Sequence, residues 1–422
     1  MFIQKMHKAH QIQLNPTHRQ KQLFTQACGC KRKSYNWALV EWDKWFRDGK
    51  KPSAMSLVKH LNSIKKTEFP YFQDVSKSAT QYAIWDLADA WKRYFDRLKD
   101  GRIAKGKTAF IKKHGVIGNE EKLKNFGKPN FKKKGKSIDS FVAVEGCRSF
   151  KQADYKIHIP RIGKVKCSEN LRFSGKVNSV IVKRIADKWF AVIQIETPNE
   201  APFIYEKQVV IGVDLGIKTL ATCSDGQVFE NPKALTSNLK SLKRSQRSLS
   251  RKIKGSNNRK KQQIIVSKKY YRVSCIRNNA LNQATSKIVN SANVIVIEDL
   301  NVRGMIKNKN LSKAISDVGF GEFRRQIEYK ALWQNKTVVI ADSFFASSKT
   351  CSCCGLKKET LNLNERTFCC LGCGLVIDRD FNASINLANY SPTPKVGGSE
   401  ACGESLVATQ RTSMKHEIFL TI

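Results

Sequence analysis

Two short repeats near the C-terminal end of the chain restrict its fold more than any other feature. Cys351-x-x-Cys354-Gly355 and Cys370-x-x-Cys373-Gly374 are separated by 15 residues. In each, two thiols three positions apart and a following glycine let the backbone bend back on one ion. Four thiolates from two such bends close a tetrahedral zinc site with no open position, so the metal is expected to be structural rather than catalytic. Cys353 and Cys369 fall out of this register and read as spare thiols. Residues 346–376 are therefore expected to form a zinc ribbon.

Charge supplies the second constraint. The chain has 76 Lys+Arg against 35 Asp+Glu, a formal net charge of +41. That excess implies a polyanionic partner, with nucleic acid the first candidate. An anionic membrane surface is the alternative, but there is no lipidation signal, no basic amphipathic anchor and no apolar run near the length of a membrane span. Lys5 and Lys8 precede no apolar core of a secretory signal, so a cytoplasmic location is expected. There the 13 cysteines serve as thiols or metal ligands rather than disulfides. A length of 422 residues leaves room for two to four domains.

His10, Ile12 and Leu14 alternate as in a strand. Asn15-Pro16 reads as a helix cap followed by proline at the first helical position. The helix is expected to run to about Phe46, with Leu23, Ala27, Cys30, Trp37 and Trp45 on one face. A second helix spans about Ser76 to Leu98, striped by Ala79, Ala83, Leu87, Ala90, Tyr94 and Leu98. Residues 15–100 thus form a helical module, and Trp37, Trp42, Trp45, Trp85 and Trp91 read as its core rather than as base-stacking platforms. Residues 101–136 hold 12 Lys+Arg and read as a loop lying on a phosphate backbone, or as a solvated basic linker. From Phe141 to Glu196 the apolar period changes to two, with a hairpin turn at Ala186-Asp187-Lys188. With the N-terminal strand this suggests a small β-barrel, 1–14 and 101–200, interrupted by the helical module.

Asp225-Gly226 marks a tight hairpin turn. Between Glu230 and Glu298 there is then no acidic residue, while residues 240–277 hold 14 Lys+Arg. Leu235, Leu239, Leu242, Leu249 and Ile253 place one apolar face on a helix that is otherwise cationic. A solvated helix face mixes both signs; one without acids points to a helical pair facing nucleic acid. A helix near Glu322–Trp333 and a buried strand, Thr337–Ile340, follow. The tail 391–422 is rich in Ser, Pro and Gly and is expected to be flexible.

Three carboxylates stand in comparable settings. Asp214 ends the apolar run Val209–Val213, Glu298 ends Val294–Ile297, and Asp380 opens the helix-like stretch DFNASINL. A charge at the end of a buried strand is costly unless something binds it. Singly, each is as well explained as a cap or an ion-pair partner. Together they suit two Mg²⁺ or Mn²⁺ ions about 4 Å apart, one activating water and one steadying the leaving oxygen of a phosphodiester.

IGVDLGIKTLAT, IVIEDLNVRGM, SSKTCSCCG, the second knuckle and DRDFNASINLA, in this order over 209–389, resemble the transposon-associated TnpB (OrfB) family, relatives of the type V CRISPR effectors. The resemblance implies a multidomain α+β protein. An RNase H-like (RuvC) α/β nuclease domain, 205–345 and 377–390, would carry the inserted zinc ribbon. Upstream would lie a wedge-like β-barrel with a helical recognition insertion. It implies Asp214, Glu298 and Asp380 as catalytic magnesium ligands, with Asp378 the alternative for the third, and Cys351, Cys354, Cys370 and Cys373 as zinc ligands. It implies a guide RNA from the transposon end, and double-stranded target DNA cut beside a short flanking motif. A monomer is the favoured state. The rivals are a guided DNA-binding protein without cleavage, a transposase joining DNA ends, and a zinc-ribbon RNA binder. The first is disfavoured by the three intact acids and the second by the lack of a separate helix-turn-helix. The third would bind through RNA alone.

Overall fold

The computed structural model describes residues 5–144, 155–198, 208–362 and 365–390. The chain divides into two compact units, Met1–Glu200 and Ala201–Ile422. The expected flexible tail lies outside the described residues.

The first unit opens with β1 (Lys5–Asn15), followed by the helices α1 (His18–Arg47), α2 (Ala54–Ile64), α3 (Lys77–Lys99), α4 (Arg102–His114) and α5 (Glu120–Lys124). Strands β2 (Ser140–Ala143), β3 (Lys156–Ile159), β4 (Gly163–Cys167), β5 (Lys176–Ile185) and β6 (Lys188–Pro198) complete it. The six strands form one antiparallel sheet in the order β2-β5-β6-β1-β4-β3. The N-terminal strand is therefore central, although the five helices separate it from the rest of the sheet. The alternating residues expected to be inward, His10, Ile12 and Leu14, are all buried.

Helix α1 starts two residues later than Asn15-Pro16 suggests. Thr17 caps it in a reciprocal box: its hydroxyl accepts from Gln20 N, and Gln20 Oε1 accepts from Thr17 N. Phe24 of α1 packs against Phe141 and Trp189 of the sheet, with ring centroids 5.9 and 5.0 Å apart. Trp42 and Trp91 stack inside the helical layer, but Trp85 is exposed, so the aromatic core is smaller than its periodicity implies. The basic stretch 101–136 is not the expected loop: much of it is α4 and α5, and on α4 Ile103, Gly106, Lys107 and Phe110 recur at helical spacing on the less exposed face.

The second unit holds β7 (Val210–Leu215), β8 (Thr219–Cys223), β9 (Val228–Glu230), α6 (Ala234–Ser250), α7 (Asn257–Ser291) and β10 (Val294–Glu298). After these come α8 (Val302–Met305), α9 (Ser312–Val318), α10 (Phe320–Trp333), β11 (Thr337–Ala341), β12 (Thr367–Cys369), β13 (Val376–Asp378) and α11 (Arg379–Ala388). The main sheet has the order β11-β10-β7-β8-β9, with β11, β10 and β7 parallel and β8 and β9 antiparallel. The turn at Asp225-Gly226 is one residue longer than a two-residue hairpin loop. Gly226 N donates to Cys223 O, Cys223 N to Gln227 O, and Gly226 takes φ +86°.

Parallel central strands are covered on both faces and so read as continuous apolar runs. On one face Ile211, Val213, Ile295 and Ile297 pack with Leu281 and Ile288 of α7 and Phe323 and Ile327 of α10. On the other, Val296 and Ala341 pack with Leu387 of α11. Burial of each such Val, Leu, Ile or Phe side chain contributes about 1.5–3 kcal/mol.

Candidate functional site

Strand parity and register carry the carboxylates to one place. Side chains alternate across a strand, so Asp214 shares the face of Gly212, and Glu298 that of Val296. Gly212 and Val296 are register partners in the parallel pair β7–β10, as are Val213 and Ile297. Asp214 and Glu298 therefore stand at the next position along neighbouring strands, both on the face that α11 covers.

Helix α11 lies closer to β7 than any side chain permits. A Cβ on Gly212 would overlap the backbone oxygen of Ser384 and the backbone nitrogen of Ala388. From Ser384 back to Asp380 the helix retreats by about 6 Å. From Gly212 to Asp214 the strand advances by about 6.6 Å. The two steps are matched in length, and Asp380 lies near enough for its charge to act on Asp214. Asp378 caps the helix, its Oδ1 accepting from Asp380 N and Phe381 N, both at 3.0 Å.

Burial, reinforced by the nearby charges of Glu298 and Asp380, holds the Asp214 carboxyl well above the usual range; Arg379 opposes the shift and Asp378 adds to it. Glu298 is also raised, by burial, against a hydrogen bond donated by Ser347 Oγ at 2.5 Å. Asp380 has Arg366 3.9 Å away. Glu298 and Asp380 raise the proton affinity of the buried Asp214, and three carboxylates so placed form a donor set fit for hard divalent cations.

The cysteines form a tighter group. Sγ of Cys351, Cys354, Cys370 and Cys373 all lie within 4.8 Å of one another, and among the described residues no other set of three or more metal-ligating side chains closes to that spacing. Cys351 and Cys373 are 3.6 Å apart, Cys354 and Cys370 3.5 Å. A tetrahedron with Zn–S near 2.3 Å has edges of about 3.8 Å, so the cage fits zinc. The two bends repeat each other. Gly355 N donates to Cys351 O and Gly374 N to Cys370 O, and both glycines take φ +74°. Cys353 and Cys369 point to solvent.

Sequence reasoning missed the links between cage and carboxylates. Two buried asparagines one turn apart on α11 supply them. Asn382 accepts from Ser352 N at 2.9 Å and donates to Thr350 O at 2.7 Å. Asn386 donates to Thr350 O and to Ser347 O. Ser347 in turn holds Glu298. The i, i+4 asparagines of NASIN were the visible signal for these bonds. For Gly212 the signal was a lone glycine inside an apolar strand.

The acid-free segment folds as the expected helical hairpin, α6 against α7. Lys240, Lys243, Arg244, Arg247, Lys260 and Lys261 are all exposed. Ile253, expected on the apolar face, is 80 % exposed because α6 ends before it. Asp317 anchors the hairpin from outside, accepting from Leu235 N and Thr236 N at the start of α6 and from Arg277 of α7.

Residues 193–309 match the family described as "Probable transposase" (OrfB of IS605), and residues 320–387 match "Cas12f1-like, TNB domain". A third match, "Helix-turn-helix domain", covers 6–51; here that span is a strand and one 30-residue helix. A protein of Streptomyces pristinaespiralis named "Putative RNA-guided DNA endonuclease" is 30% identical over 99% of this chain and 97% of its own. The Escherichia coli protein of the same description, InsQ, is 29% identical over 90% of this chain and 91% of its own. Among solved structures, the Cas12f1–sgRNA–target DNA complex aligns with 91% of this chain and 99% of its own at 15% identity and a TM-score of 0.32. The chain belongs to the transposon-associated TnpB (OrfB) family.

Proposed function

We propose that the protein is an RNA-guided DNA endonuclease that hydrolyses phosphodiester bonds at the Asp214–Glu298–Asp380 site. The observation that carries this is the shared sheet face and register that bring Asp214 and Glu298 side by side beneath α11. Full-length relatives named as such endonucleases support the activity. We assign the second unit to a RuvC-like, RNase H-type domain, 205–345 and 377–390, interrupted by the ribbon at 346–376. The mixed sheet with its antiparallel edge and the two knuckles support that reading. In the first unit, the sheet strands would form the wedge and α1–α3 the recognition module. Guide RNA and double-stranded DNA are the partners, with a monomeric protein in the cytoplasm. No described helix is long and apolar enough to cross a membrane.

Each part of the site has a defined task. Asp214, Glu298 and Asp380 would hold two Mg²⁺ or Mn²⁺ ions, and Cys351, Cys354, Cys370 and Cys373 one zinc. When bound, the divalent pair supplies activation of water and neutralisation of charge on the phosphate. Ser347 holds one oxygen of the Glu298 carboxylate in place by its hydrogen bond. Asp378 orients the first turn of α11, and so Asp380, rather than ligating. Base pairing selects the sequence, while exposed lysines and arginines hold the heteroduplex by its backbone.

Purified ribonucleoprotein with Mg²⁺ should cut guide-matched duplex DNA carrying the flanking motif. Asp214→Ala should reduce cleavage at least about 10³-fold while target binding persists. Undiminished cleavage by that variant would refute the site. Binding to RNA with no guide-matched DNA recognition would favour the zinc-ribbon RNA binder.

A further inference from the structure

One aromatic side chain beside the carboxylates has no structural role in the fold. Phe344, in the segment joining β11 to the ribbon, is 94 % exposed. Its position is fixed on both sides. Ala341, three residues before it, is the register partner of Glu298. Ser347, three residues after it, donates its hydroxyl to Glu298. Three residues span at most about 11 Å, so the ring is tethered at the rim of the site from two directions.

The backbone that presents the ring is well held. Asp342 Oδ1 accepts from Phe344 N at 3.0 Å, and Phe345 N donates to Asp342 O at 2.9 Å. Tyr390 accepts from Asp342 N through its hydroxyl, and its ring meets Phe345 edge-on at 4.9 Å. Thus the loop turns Phe345 inward and Phe344 outward. An apolar ring kept in water on an ordered loop, in a chain of net charge +41, suits a ligand that is anionic along its backbone and flat and apolar on its faces. Nucleic acid bases have such faces, but within a duplex both are already covered by neighbouring bases. An added aromatic ring therefore favours an unpaired base.

We propose that Phe344 stacks on an unpaired base of the DNA strand entering the carboxylate site and so seats the adjoining phosphodiester over Asp214, Glu298 and Asp380. This rests on the nuclease reading and adds to it a residue that seats the strand. Phe344 is a substrate-positioning residue; it takes no part in proton transfer or ion binding.

The test uses the full-length guided complex and oligonucleotide targets in which an abasic nucleotide is stepped along the cut strand. Phe344→Ala should slow single-turnover cleavage about 5- to 100-fold, with guide-dependent target affinity unchanged. Phe344→Trp and Phe344→Tyr should retain the rate, and Phe344→Leu should behave like alanine. One abasic position should slow the wild type by a similar factor and add nothing to Phe344→Ala. A wild-type rate in Phe344→Ala, or identical slowing on every abasic substrate, overturns the proposal. So does a lower melting temperature in Phe344→Ala without dependence on the nucleotide, since the ring would then be covered by the protein's own chain. With cleavage blocked by Ca²⁺, 2-aminopurine at the sensitive position should be quenched by the wild type and bright in Phe344→Ala. That readout needs no catalysis, so it separates failure of the stacking from failure of the nuclease reading.

Discussion

The cysteine cage and the carboxylate cluster are built in opposite ways. All four thiols come from 23 consecutive residues, and each bend supplies its own two ligands, its own glycine and its own backbone hydrogen bonds. The acids come from β7, β10 and α11, and 166 positions separate Asp214 from Asp380. Nothing local holds them together; parity, register and one bare glycine do. The cage is thus self-contained, whereas the carboxylates depend on the whole unit being correctly packed. The two are joined through Asn382, Asn386 and Ser347.

Gly212→Ala attacks from the carboxylate side and, among variants that leave every metal ligand in place, should have the largest effect. Its methyl group must displace α11, costing about 3 kcal/mol. Cleavage should fall at least about 100-fold while zinc content, measured by metal analysis, stays at one per chain. Loss of zinc as well would show that the cage is less independent than its geometry implies.

Cys354→Ser attacks from the other side. It should remove zinc, free residues 350–352 from Asn382, and lower cleavage about 10- to 100-fold through misplacement of α11. Full activity in the zinc-free variant would cut the link between the two clusters.

The mildest test is titration. Folding raises the Asp214 carboxyl, so in metal-free protein its contribution to stability is present below the ordinary carboxylate range and is lost as pH rises through the raised value. Divalent ions compete with that proton, so the Mg²⁺ concentration needed for half-maximal cleavage should fall as pH rises. In Ser347→Ala, Glu298 loses the bond that lowers its proton affinity, and the profile should move to higher pH. A Mg²⁺ requirement independent of pH would contradict the raised proton affinity of Asp214.

The contrast also explains what could be read from the chain. The knuckles were legible because ligands and turns coincide within a few residues. The three acids could be listed, but their meeting depends on the β7–β10 register and the approach of α11, which no local pattern encodes. Strands β1, β10 and β11 and helices α3 and α10 followed from periodicity. Helix α4 did not, because lysines crowd its sequence and mask the apolar positions. The cap at Thr17 was missed because the Asn-Pro pair beside it is an equally good helix start in isolation.

The acid-free hairpin has a consequence for ionic strength. With 14 cations in residues 240–277, α6 and α7 repel each other, and Asp317 is the acid that bridges them. Screening by added salt relieves that repulsion in the free protein, yet it would loosen the grip on nucleic acid that we propose for the same helices. On that proposal one ion concentration would act with opposite sign on the two states, relaxing the free hairpin while weakening the bound one.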